Sequence, residues 1–78
     1  MPNNLFNWTF DDVVEFLKEH GFALNHTNAS HYYYIGHRNG MLRNVCVPYH
    51  GKNSIKPRTL KGIISQSGIP KNIWIGKE

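Results

Sequence analysis

SHYYYIGHRNGMLRNVCVP, residues 30–48, decides the fold. It holds two strand-forming runs, one rich in tyrosine and one containing Val45-Cys46-Val47, with Asn39-Gly40 between them. Asn-Gly in that setting is the strongest short hairpin signal, because both central residues of a type I′ turn need positive φ. A two-residue turn sets Arg38 opposite Met41. Each step outward pairs the next two residues, ending with His31 opposite Pro48 at the far end of the ribbon. A bulge would shift that register by one and swap the faces.

Upstream, residues 22–27 read as a first strand, with 30–37 and 41–48 as the second and third; Pro48 closes the last. Before them, Phe10, Val13, Val14 and Leu17 follow helical spacing. Thr9 offers an N-cap with Asp12 in a short capping box, Trp8 and Val13 are placed as a hydrophobic staple, and Gly21 stops the helix. A helix over 10–20 follows, preceded by an irregular arm at 1–8. After a polar loop at 49–56, Thr59 is expected to cap a second helix carrying Leu60, Ile63 and Ile64 and ending at Gly68. Pro70 opens a tail turn with Ile73 and Trp74. The fold class is therefore α+β: one 78-residue domain with its core at 9–75, ordered α-β-β-β-α, a three-stranded antiparallel sheet packed against two helices.

From His20 to Lys77 the chain has eight Lys/Arg and five His, and no Asp or Glu. All acids but Glu78 lie at Asp11, Asp12, Glu15 and Glu19. Asp11 and Asp12 suit the positive end of the first helix, which accounts for that cluster without invoking a site. The long acid-free basic stretch points to a polyanion as partner. It also disfavours a Mg²⁺-dependent nuclease site, since hard cations need oxygen ligands. The five histidines have no recognisable zinc spacing, so no metal or other cofactor is expected. Cys46 is the single cysteine, which rules out an intrachain disulfide. With neither a signal-peptide pattern nor a membrane-length apolar run, a soluble cytoplasmic protein is expected.

Three features carry the candidate chemistry. The hairpin brings His31 to the end of the ribbon from which Tyr49-His50-Gly51-Lys52 departs. Lys52, Lys56 and Arg58 precede or open the second helix, where free N–H groups and basic side chains together suit phosphate. Tyr32, Tyr33 and Tyr34 invite a base-stacking reading. Alternation forbids all three from sharing a face, and sheet packing is the expected role. His20, His26 and His37 take structural roles by default.

Gly21-Phe22, Ser30-His31 at a strand start, Val47-Pro48-Tyr49-His50-Gly51, and Thr59-Leu60 with Ile63-Ile64 and Gly68 together resemble the HicA toxin family, from about residue 10 to residue 75. The resemblance implies a fold like the double-stranded RNA-binding domain and an mRNA interferase activity, with His31 as the catalytic residue. It also implies a HicB-type antitoxin that covers the active surface; an oligomer formed through that antitoxin would be consistent with it. The family's Gly-Ser-His reads Ala29-Ser30-His31 here, and Arg58 stands where a glycine often precedes the helix-2 threonine. Alanine disfavours positive φ, so a differently shaped turn is expected at Ala29.

The expectation is thus a metal-independent endoribonuclease acting on mRNA. Neutral His31 would be general base on the 2′-hydroxyl and His50 the candidate acid. Ser30, Lys52, Lys56, Arg58 and Thr59 would face phosphate or RNA. The rivals are a non-catalytic RNA-binding module of the same fold and an inactive antitoxin-binding homologue.

Overall fold

A computed structural model describes residues 4–76. The order is α1 (Phe10–Glu19), β1 (Ala23–Asn28), β2 (His31–Arg38), β3 (Met41–Pro48), α2 (Pro57–Ser67) and a one-turn α3 (Lys71–Trp74). Residues 1–3 of the expected arm, and Lys77 and Glu78, lie outside the described range. The three strands form one antiparallel sheet in the order β1-β2-β3. α1 and α2 lie on one face of it, both against β3.

The β2–β3 ribbon has the expected unbroken register, from Arg38 opposite Met41 to His31 opposite Pro48. Asn39 and Gly40 hold φ of 54° and 79°, as a type I′ turn requires. β1 behaves differently. Ala23 and Leu24 pair with Ile35 and Tyr34, but a bulge before His26 shifts the remainder, so that His26 meets Tyr33 and Asn28 meets His31. Every residue of β1 is exposed, so the helices cover only the other two strands.

α1 begins at the reciprocal Thr9–Asp12 capping box, in which the Asp12 N–H donates to Thr9 Oγ1 and the Thr9 N–H to Asp12 Oδ2. It ends in a Schellman motif: the Phe22 N–H donates to the Leu17 carbonyl at 2.9 Å and the Gly21 N–H to Lys18, with Gly21 at φ 86°. That left-handed exit delivers Phe22 onto the sheet above Gly36. A Cβ at Gly36 would sit 2.7 Å from the Phe22 ring, so the glycine is required by packing against the ring.

The core joins Trp8, Phe16, Leu17, Tyr34, Val45, Val47, Ile55, Leu60, Ile63 and Trp74, all buried. Trp8 packs edge-on to Phe16 (6.0 Å between centroids) and tilted on Trp74 (5.5 Å), while Phe16 stacks on Trp74 at 3.9 Å. The expected irregular arm therefore contributes a central core side chain; losing a buried Trp of this kind costs about 3–5 kcal/mol.

Two expectations need correction. α2 starts at Pro57, with Lys56 at the cap position and no side-chain cap, so Thr59 is its third residue and not its cap. Proline, with φ already helical and no N–H to satisfy, favours the first position of a helix. The tail after Pro70 is the one-turn α3, whose Trp74 is buried.

Gly36→Ala should lower stability by about 1–3 kcal/mol, because the added Cβ would meet the buried Phe22 ring at 2.7 Å. Thermal unfolding of the purified variant measures it, and an unchanged melting temperature would contradict the packing account.

Candidate functional site

The loop between β3 and α2 is anchored from three sides. The Tyr49 N–H donates to the Ser30 carbonyl at 2.7 Å, continuing the ribbon one step past His31–Pro48. Thr9 and Ser54 form an isolated antiparallel bridge, and the Ile55 N–H donates to the Trp8 carbonyl at 2.6 Å. Ile55 itself is buried. The segment is thus held by the arm and the core, an anchor that its otherwise polar composition concealed.

These anchors shape a pocket of about 400 Å³ lined by His50, Asn53, Ser54, Lys56 and Thr59. No acid stands in the first turn of α2, and no side chain caps its free N–H groups. An anion entering there meets amides and a lysine with no carboxylate to compete. Asn53 and Ser54 carried no sequence signal beyond lying in a polar loop.

His31 is exposed and lines none of that pocket. Tyr34 is buried and Tyr32 packs against the core, so alternation puts His31, Tyr33, Ile35 and His37 on the face turned away from the helices. His31 and His50 consequently leave the same end of the ribbon, one from the open face and the other toward the α2 entry. Ser30 is tied to Tyr49 through its backbone. Lys52 and Arg58 are exposed and flank the pocket without lining it. Tyr49 leans on Phe10 at 5.0 Å between centroids and walls the ribbon end on the helix side.

Ala29 adopts the left-handed conformation after all, at φ 55°. Alanine disfavours this conformation, yet the turn into β2 adopts it. Two antiparallel strands and the β2–β3 ladder fix the positions of Asn28 and His31, and the turn residue follows.

Not every cation of the acid-free stretch faces outward for a ligand. Arg43 Nε donates to the Gln66 carbonyl at 3.1 Å and its Nη2 to the Ser65 carbonyl at 3.0 Å, at the negative end of α2. Gln66 Oε1 in turn accepts the Cys46 N–H from the outer edge of β3. These bonds dock α2 on the strand; they are structural. Among the described residues no three His, Cys, Asp or Glu side chains gather into a metal-holding group.

A three-stranded antiparallel sheet backed by helices on one face, with a cationic pocket between the last strand and α2, makes a small α+β domain, an arrangement compatible with that of the double-stranded RNA-binding domain. The family model described as HicA toxin of bacterial toxin–antitoxin matches residues 10–69. The chain belongs to that family and so to the toxin side of a toxin–antitoxin system. No curated protein and no solved structure matches the chain.

Ala29→Gly should raise stability by about 0.5–1 kcal/mol, the relief of left-handed strain less the added freedom of the unfolded chain. Denaturant unfolding measures it. A destabilised variant would show that Ala29 is not strained at this turn.

Proposed function

We propose that this chain is a metal-independent endoribonuclease that cleaves mRNA in the cytoplasm and is held inactive by a HicB-type antitoxin. The observation that carries the reading is the place of His31. It stands exposed at the end of the ribbon where the Tyr49–Ser30 bond ties on the loop that bears His50 and leads to the cationic α2 entry. Membership of a toxin family over residues 10–69 supports it.

In this reading neutral His31 takes the proton from an RNA 2′-hydroxyl, and the 2′-oxygen attacks the adjacent phosphorus. The P–O5′ bond breaks, leaving a 2′,3′-cyclic phosphate, and the departing 5′-oxygen takes its proton from water, because His50 lines the α2 pocket while His31 stands on the open face. Lys56, with Thr59 and the free amides of the α2 entry, holds a neighbouring phosphate of the strand, and Lys52 and Arg58 flank it. No Asp or Glu lies between His20 and Lys77 to orient His31. The base therefore works without a carboxylate partner from this stretch. RNA supplies its own nucleophile, and the step balances with no cofactor.

His31→Ala should abolish cleavage while leaving RNA binding nearly unchanged, and expression of the variant should no longer arrest growth. Cutting should persist in EDTA and yield 2′,3′-cyclic phosphate ends. A variant that still cuts, or products with 3′-hydroxyl ends, would sink the mechanism. Lys56→Ala should weaken RNA binding for all sequences alike and reduce the salt dependence of log K by about one.

A further inference from the structure

The sheet's open face carries a second arrangement, which the proposed cleavage step at His31 does not use. His26 and Tyr33 stack there with ring centroids 4.5 Å apart and planes only 10° from parallel. The Asn25 amide donates to His26 Nδ1 at 2.9 Å, so this imidazole is held both in its plane and on one face. Tyr33 is bounded on its other side by β3, where it pairs with Cys46. The far face of His26, an exposed residue on an edge strand, is the open end of the stack.

This placement depends on the bulge. Leu24 pairs with Tyr34, whose side chain is in the core. Strict alternation would send His26 to the same side, under the helices. The extra residue at Asn25 turns His26 over to the open face, beside Tyr33 and in the same row as the Asn28–His31 pair. Bulges commonly re-aim a side chain in this way beside functional sites. Tyr33 and His31 lie two residues apart on one face, about 7 Å along the strand, and His26 sits one strand further out beside Tyr33.

The geometry points to a base-binding subsite: the base next to the scissile phosphate of a single-stranded RNA stacks on His26 as the third ring of the His26–Tyr33 column. Three properties favour RNA as the occupant. The open face has imidazoles at His26, His31 and His37 and no carboxylate anywhere from residue 20 to residue 76. Its aromatic surface is flat and pre-ordered, as sequence-tolerant stacking requires. It is also continuous with His31, which needs a phosphodiester delivered to it. The inference rests on the ribonuclease reading only for the identity of the neighbouring phosphate.

The test is binding of a fluorescently labelled 2′-O-methyl oligoribonucleotide, which lacks the nucleophile and cannot be cut, measured by anisotropy. His26→Ala should weaken binding roughly 10-fold, the usual effect of losing one stacking partner. His26→Phe should restore it, because it keeps a ring and discards the imidazole. An abasic oligonucleotide of the same backbone should bind wild type and His26→Ala equally. Melting temperatures of both variants check that the exposed edge strand is intact. Unchanged affinity for His26→Ala overturns the proposal and leaves this face to a protein partner. An equal loss with the abasic ligand overturns it too, since the contact would then be to the backbone. The outcomes are separable from the ribonuclease reading: cleavage by wild type that His31→Ala abolishes but His26→Ala leaves untouched keeps the nuclease and removes the subsite. Stacking without any cleavage does the reverse.

Discussion

The unbroken pairing of β2 with β3 is the constraint on which the rest of this molecule depends. One type I′ turn at Asn39-Gly40 fixes eight successive residue pairs. Their alternation then decides which side chains enter the core and which face outward. Tyr34, Val45 and Val47 supply the surface on which α1 and α2 pack. The same register places His31 opposite Pro48 and lets the Tyr49 N–H continue the ladder to Ser30. Slipping it by one residue would send His31 toward the helices and take Tyr34 out of the core.

Around that ribbon the remaining elements are held by contacts between distant parts of the chain. The arm before α1 places Trp8 among Phe16 and Trp74, and its carbonyl receives the N–H of Ile55. One residue thus joins the core to the loop that shapes the pocket. At the opposite end Arg43 and Gln66 pin the C-terminal turn of α2 to β3, so the helix N-terminus is presented from a fixed base. The pocket is built of mobile-looking residue types, but its walls rest on backbone bonds to core elements.

Much of this was legible in the residues. The Thr9–Asp12 box, the Gly21 exit and the Asn39-Gly40 turn are local signals, since each acts within a few residues of itself. The family resemblance marked His31 as the candidate catalytic residue, and the structure places it exposed at the start of β2. The α2 start was misread because Thr59 looks like a cap, whereas Pro57, pre-set for the first helical position, takes precedence. The three tyrosines could not be sorted individually from composition, and the structure divides them. Tyr32 and Tyr34 go to the core side, and Tyr33 goes to the open face against His26. Ile55 as an anchor and Arg43 as a helix dock had no local signature at all.

By itself the sequence determined the order of the elements from α1 to α2, the β2–β3 register and the cationic, acid-poor character of everything after α1. Those follow from local backbone preferences and side-chain charge, which need no distant partner. Only the tertiary structure decided that His50 lines the α2 pocket while His31 stands outside it, and that a bulge at Asn25 carries His26 onto the open sheet face. A bulge is set by the competition between pairing with β2 and packing under the helices, two interactions with residues far along the chain. No window of sequence around Asn25 contains both sides of that balance.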